Sequence, residues 1–197
     1  MNKIGGKNII ALIVVIIFII VFSFQTNGYR TSPLGAAKAH IPERDNLVLL
    51  EEVDCGWSKV YVFDTENGSR TAISVKSGFL WNSPVVVRID KSDDPVKTVG
   101  WMSYSGKENE VTVLAVETTD PQIAYIEAGP TENRIKKEVV KDKLTVLTWD
   151  KMIEANNELQ AVALAKDGSP LYEYRFPKNT TVFKSEDLKW NSVNGEK

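Results

Sequence analysis

Lys59-Val60-Tyr61-Val62-Phe63-Asp64-Thr65-Glu66-Asn67-Gly68-Ser69-Arg70-Thr71-Ala72-Ile73-Ser74-Val75 sets the fold class. Two runs rich in β-branched and aromatic side chains stand on either side of Asn67-Gly68. Such side chains suit a pleated, half-buried surface, and Asn-Gly accepts the positive φ that a tight turn demands. The stretch predicts an antiparallel hairpin with Val62 and Phe63 near Thr71 and Ala72. The same grammar recurs near the other end of the chain. There residues 159–164 and 171–176 flank Asp167-Gly168, which places Leu164 and Ala165 near Leu171 and Tyr172. A β-branched residue in place of either glycine is expected to cost about 1–3 kcal/mol.

Between these hairpins the strand signal persists. Phe79-Leu80-Trp81 and Val85-Val86-Val87-Arg88-Ile89 read as two strands around Asn82-Ser83-Pro84. Glu110-Val111-Thr112-Val113-Leu114-Ala115-Val116 and Gln122-Ile123-Ala124-Tyr125-Ile126 are separated by the turn signal Asp120-Pro121. Residues 134–140 and 144–149 flank Lys141-Asp142-Lys143. Helix is sparse: residues 43–53 fit a short helix or a leading strand, and 151–157 a single turn. About ten short, closely spaced strands predict a mainly β fold, an antiparallel β-sandwich or partly open barrel built from hairpins.

Ahead of this β region lies Ile9-Ile10-Ala11-Leu12-Ile13-Val14-Val15-Ile16-Ile17-Phe18-Ile19-Ile20-Val21-Phe22-Ser23-Phe24, which carries no charge. As a helix it is about 24 Å long against a hydrocarbon core of about 30 Å, and Asn8, Gln25 and Thr26 extend it into the interface. Lys3 and Lys7 precede it. The positive-inside rule then keeps the N-terminus cytoplasmic and exports the rest, as a single-pass anchor in the cell membrane. The alternative is a secreted chain whose signal peptide is cleaved, since Val21 with Ser23, Thr26 with Gly28, and Ala37-Lys38-Ala39 offer small residues at suitable spacing. The expected organisation is a cytoplasmic tail at 1–8, a transmembrane anchor at 9–25, and a tether at 26–45. An extracytoplasmic β domain at 46–178 and a polar C-terminal tail at 179–197 follow. A seam at Lys91-Ser92-Asp93-Asp94-Pro95 would divide the domain into two lobes. The cytoplasmic MNKIGGKN is too short to fold, so an inward signal would need a second membrane protein.

The 197 residues carry a net charge of −2, or −4 without Lys3 and Lys7, and no basic cluster, so a nucleic-acid partner is not expected. One histidine, His40, lies in the tether stretch, which removes Ser-His-Asp and Cys-His catalysis and zinc sites built on several His and Cys ligands. Neither S-x-x-K nor G-x-S-x-G occurs. The single Cys55 has no internal disulfide partner and reads as a small buried residue. Asp90-Lys91-Ser92-Asp93-Asp94 begins like a calcium loop, but Pro95 and Trp101 stand where Gly and Glu are needed. Glu51, Glu52, Asp54 and Glu117 are the carboxylates considered for glycoside hydrolysis, and their usual role is solvation. Trp57, Trp81, Trp101 and Trp149 suit core packing or an exposed aromatic platform. Asn67-Gly68-Ser69 and Asn179-Thr180-Thr181 match glycosylation acceptors, which matter only in a eukaryotic source.

The basic start and apolar run MNKIGGKNIIALIVVIIFII, the hairpin KVYVFDTENGSRTAISV with FLW after it, and the pair DPQIAYIEA and LQAVALAKDGSPLYEYRF resemble one protein group. It is a loose group of uncharacterised, membrane-anchored proteins exported by Gram-positive spore-forming bacteria. In that group a Gly-Trp-Lys-like stretch often follows the early hairpin, where this chain has Phe79-Leu80-Trp81-Asn82. The resemblance implies location and an all-β fold, and supplies no catalytic residue. The expected function is therefore a membrane-anchored extracytoplasmic module binding a protein, a peptide or the cell wall. No catalytic, cofactor-binding or metal residue is assigned, and no cofactor is expected. The alternatives are a carboxylate-dependent cell-envelope hydrolase and an accessory subunit of a membrane complex.

Overall fold

The computed structural model describes residues 6–43, 46–178, 184 and 187–193, without the side chains of residues 6–9, 20, 21, 23 and 25 in the first helix. That helix, α1, covers Gly6–Thr26, as an uninterrupted apolar run dictates. The large apolar side chains described along it are between 42% and 70% exposed. Counting described residues alone, no helix is long and apolar enough to cross a membrane.

The rest is mainly β, in three antiparallel sheets. Strands β1 (Val48–Asp54), β2 (Ser58–Thr65), β3 (Gly68–Ser77) and β4 (Leu80–Asp90) form the first sheet in sequence order. Next come β5 (Val96–Ser105), β6 (Glu110–Thr118), β7 (Tyr125–Ala128), β8 (Ile135–Glu138) and β9 (Thr145–Trp149). Last are β10 (Val162–Leu164), β11 (Pro170–Arg175) and β12 (Lys189–Ser192). The second sheet runs β5-β6-β9 and the third β12-β11-β10-β7-β8.

Strand periodicity decides how these sheets stack. In β2, Val60 and Val62 point one way and Tyr61 and Phe63 the other, and all are fully buried. Val60 joins Ile73 of β3 and Met102, Val111 and Val113 of the second sheet in one apolar cluster. The opposite faces of β6 and β9 supply Leu114, Val116, Leu147 and Trp149 to a second cluster with Ile126, Ala163 and Trp190 of the third sheet. The second sheet is thus buried on both faces. That is why β6 reads as a continuous apolar run rather than an alternating one. Each fully buried Phe, Ile or Leu here contributes roughly 1.5–3 kcal/mol.

The outer face of the first sheet is covered by α2 (Pro33–Ala39), which lies in the stretch expected to be a tether. Ser32 caps its N-terminus and Pro33 opens it. Ala37 and Ile41 then pack on Tyr61, Phe63 and Ala72. Small alanines let a seven-residue helix approach the strands closely, and so short a segment leaves no periodic signature. Arg30 also pairs with Trp81 through reciprocal backbone bonds of 2.8 Å.

Other expectations change in detail. Of residues 43–53, expected as a short helix or a leading strand, 48–53 lie in strand β1. The two strands expected around Asn82-Ser83-Pro84 are one, β4, with a register shift opposite Ile73 and Val75. Proline is tolerated there because β4 is an edge strand. Strand β5 carried no distinct alternation, and β12 lies in the expected polar tail, where Trp190 is 6% exposed. Lys141-Asp142-Lys143 separates β8 and β9, which belong to different sheets. The seam at 91–95 follows the first sheet, yet the cluster around Met102 packs across it. Both marked hairpins form. Val62 faces Thr71, whereas Phe63 faces Arg70. In the later hairpin Ala163 faces Tyr172 and, past a register shift, Leu164 faces Pro170, so the pairing is displaced from the one expected.

Candidate functional site

The β1–β2 connection is a tight turn, Asp54-Cys55-Gly56-Trp57. Gly56 takes a φ of 76°, and its N–H donates to Asp54 Oδ1 at 2.8 Å. The Cys55 N–H donates to the Ser58 carbonyl at 2.9 Å, which turns Trp57 toward the end of the second sheet. There its ring stacks on Tyr104 of β5, with centroids 6.1 Å apart and planes 27° from parallel. The β5–β6 turn closes beside this pair, with the Gly106 N–H donating to the Asn109 carbonyl at 2.8 Å.

Trp57 and the Gly106–Asn109 turn form a shared wall between two half-open clefts. The first, of about 700 Å³, is lined by Cys55, Ser105, Glu108, Glu110 and Asp150 as well. The second, of about 710 Å³, runs toward Tyr29, Lys76, Gly78, Asn82 and Pro84. Aromatic walls with a polar rim suit a ligand that presents both apolar and hydrogen-bonding surface. In the first cleft Glu110 is held in place: Oε1 accepts from Ser105 Oγ at 3.1 Å and Oε2 from the Met152 N–H at 3.1 Å. Burial pushes the Cys55 thiol above its ordinary range, with the charges of Asp150 and Asp54 adding to the rise. The thiol is therefore protonated at neutral pH and a poor nucleophile.

The carboxylates singled out in the sequence lie elsewhere. Glu52 and Asp54 both pair with Lys59, at 2.6 and 3.2 Å. Hydrogen bonds from the Gly56 N–H and then from Lys59 hold Asp54 below the usual carboxylate range. Glu51 sits on the same edge strand, half-buried. Glu117 pairs with Lys97 at 3.3 Å and lines a separate recess of about 270 Å³ with Asp64, Asp90 and Lys91. In the calcium-like loop Asp90 accepts from Arg88 at 2.8 Å and Asp94 from Ser92 at 2.6 Å. Among the described residues no group of three or more His, Cys, Asp or Glu side chains is placed to hold a metal ion. His40 is exposed at the end of α2, beside Gly28.

The tryptophans divide. Trp149 and Trp190 are core residues whose indole N–H groups donate to the Asn133 carbonyl and to Thr98 Oγ1. Trp101 packs on the same core, whereas Trp57 and Trp81 are half-buried. Glu108, Glu110 and Asp150 escaped the sequence reading because nothing in the chain order shows that the β5–β6 turn meets the β1–β2 turn. Of the glycosylation-like motifs, Asn67-Gly68-Ser69 forms part of the β2–β3 turn, and residues 179–181 lie outside the described residues. No protein-family model, curated protein or solved structure matches the chain.

Proposed function

We propose that the chain is a membrane-anchored, extracytoplasmic binding module that receives its ligand against Trp57. Anchorage is supported by the apolar run of 9–24, by Lys3 and Lys7 before it, and by the exposure of its side chains. Aliphatic side chains at such exposure are stable in lipid and costly in water. We read the stacked sheets as a sandwich, whose rigid layers hold the clefts open. The observation that carries the binding reading is Trp57, stacked on Tyr104 and shared by two clefts beside one polar turn. The partner is a protein segment or a cell-wall polymer.

The hydrolase reading draws on Glu108, Glu110 and Asp150 in the first cleft. One experiment separates the two. The full chain in nanodiscs is titrated with peptidoglycan fragments and with peptides, following tryptophan fluorescence and product release. Saturable binding without turnover, weakened at least about tenfold by Trp57→Ala, supports the module, in the range of a hot-spot aromatic. Turnover that Asp150→Asn abolishes, or binding indifferent to Trp57→Ala, overturns it.

A further inference from the structure

The end of α1 is clamped to the first sheet. The chain reverses at Gly28, with φ 79°, and the Tyr29 N–H donates to the Phe24 carbonyl at 3.0 Å, a Schellman closure. This brings the Tyr29 ring back onto Phe24 in the last turn of the helix, edge to face at 5.4 Å. Arg30 then pairs with Trp81 on β4, and Asn82 Nδ2 donates to the Asn27 carbonyl at 3.3 Å. From Thr26 to Arg30 the chain can extend at most about 14 Å. The β3–β4 turn next to this clamp presents Phe79, which is 84% exposed, and Lys76 lies 6.0 Å from the centre of the Trp81 ring.

Resting on the anchorage reading above, we propose that Tyr29, Lys76, Phe79 and Trp81 form a lipid-contact face. In it the β3–β4 turn lies in the headgroup layer of the leaflet in which α1 ends. The layer between hydrocarbon and water is about 5–8 Å deep on each side. Tyr29, at the depth of Phe24, is inside it, and the clamp holds Trp81 close by. Tyrosine and tryptophan favour this layer because each has an apolar body and a polar tip, while an ammonium beside them meets phosphate. Phe79 has no comparable reason to face water at 84% exposure. Tyr29 and Lys76 also line the second cleft, so that cleft opens at the membrane surface and not at the outer tip of the domain.

The test uses the full chain in phosphatidylglycerol-containing vesicles, with Cys55→Ser as background. Phe79→Cys and Ile16→Cys are each labelled with an environment-sensitive fluorophore. Quenching is compared between lipids carrying a nitroxide at the headgroup, lipids carrying one deep in the acyl chain, and aqueous iodide. The label at 16 reports anchorage, and deep quenching there is expected. The label at 79 is expected to respond most to the headgroup nitroxide and little to iodide. Strong iodide quenching at 79 with deep quenching at 16 overturns the lipid-contact face and leaves anchorage standing. Shielding at 79 from all three quenchers means that protein covers the face, and also overturns it. Absence of deep quenching at 16 overturns anchorage itself, and this proposal with it.

Discussion

Gly68 and Gly168 look equivalent in the sequence, and the structure separates them. Both take positive φ, 130° and 88°. A Cβ on Gly168 meets nothing within 4 Å. Gly168→Ala therefore carries backbone strain alone, about 1–2 kcal/mol. A Cβ on Gly68 would lie 2.2 Å from the Ile89 carbonyl oxygen and 2.8 Å from the Lys91 nitrogen. Both are backbone atoms at the end of β4, and no rotamer change can move them. Relief requires the β3–β4 ladder to part where Gly68 faces Asp90. Overpacking adds about 1–3 kcal/mol to strain of similar size, so Gly68→Ala is expected to cost about 2–5 kcal/mol. For a chain of this size each kcal/mol lowers Tm by about 2–4 °C. Thermal unfolding of the full chain in detergent, followed by tryptophan fluorescence, should show a clearly larger fall for Gly68→Ala. Equal shifts, or a Gly68→Ala protein as stable as the parent, would refute the steric argument.

Gly100 marks the close contact of the first and second sheets: a Cβ there would sit 2.7 Å from Val62 Cγ2 and 2.9 Å from the Ala115 Cβ. Gly100→Ala should cost about 1–3 kcal/mol by urea unfolding, and Val62→Ala in the same chain should recover part of it; no recovery would mean the strain lies elsewhere. Alkaline pH should weaken the fold, because burial raises the Cys55 thiol above its ordinary value, and raises Tyr61 to about 12. Above about pH 8.5 an unfolded thiol loses a proton that the folded one keeps, so this stability is present below that pH and lost as pH rises. Tm measured from about pH 8 to about pH 10.5 should fall more steeply for the parent than for Cys55→Ser, and superimposable slopes would reject the thiol's part.

Local chemistry made much of this protein legible in its sequence. Alternation and turn glycines marked the hairpins β2–β3 and β10–β11, because a period of two and a positive φ are properties of neighbouring residues. The apolar run of 9–24 likewise marked a helix with no help from the rest of the chain. The resulting prediction of a mainly β domain agrees with the three sheets. What the sequence could not supply was anything made by long-range packing. The segment around Ala36 and Ala37 looked like a tether because its helix is only as stable as the sheet face beneath it. Strand β5 escaped notice because Lys97, Thr98, Gly100 and Ser103 interrupt its apolar residues around a register shift, and Trp190 looked like part of a tail until β12 packed it against the second sheet. The candidate site belongs to this second kind: Trp57 and Tyr104 are distant in sequence, and only the packing of the first sheet on the second stacks their rings.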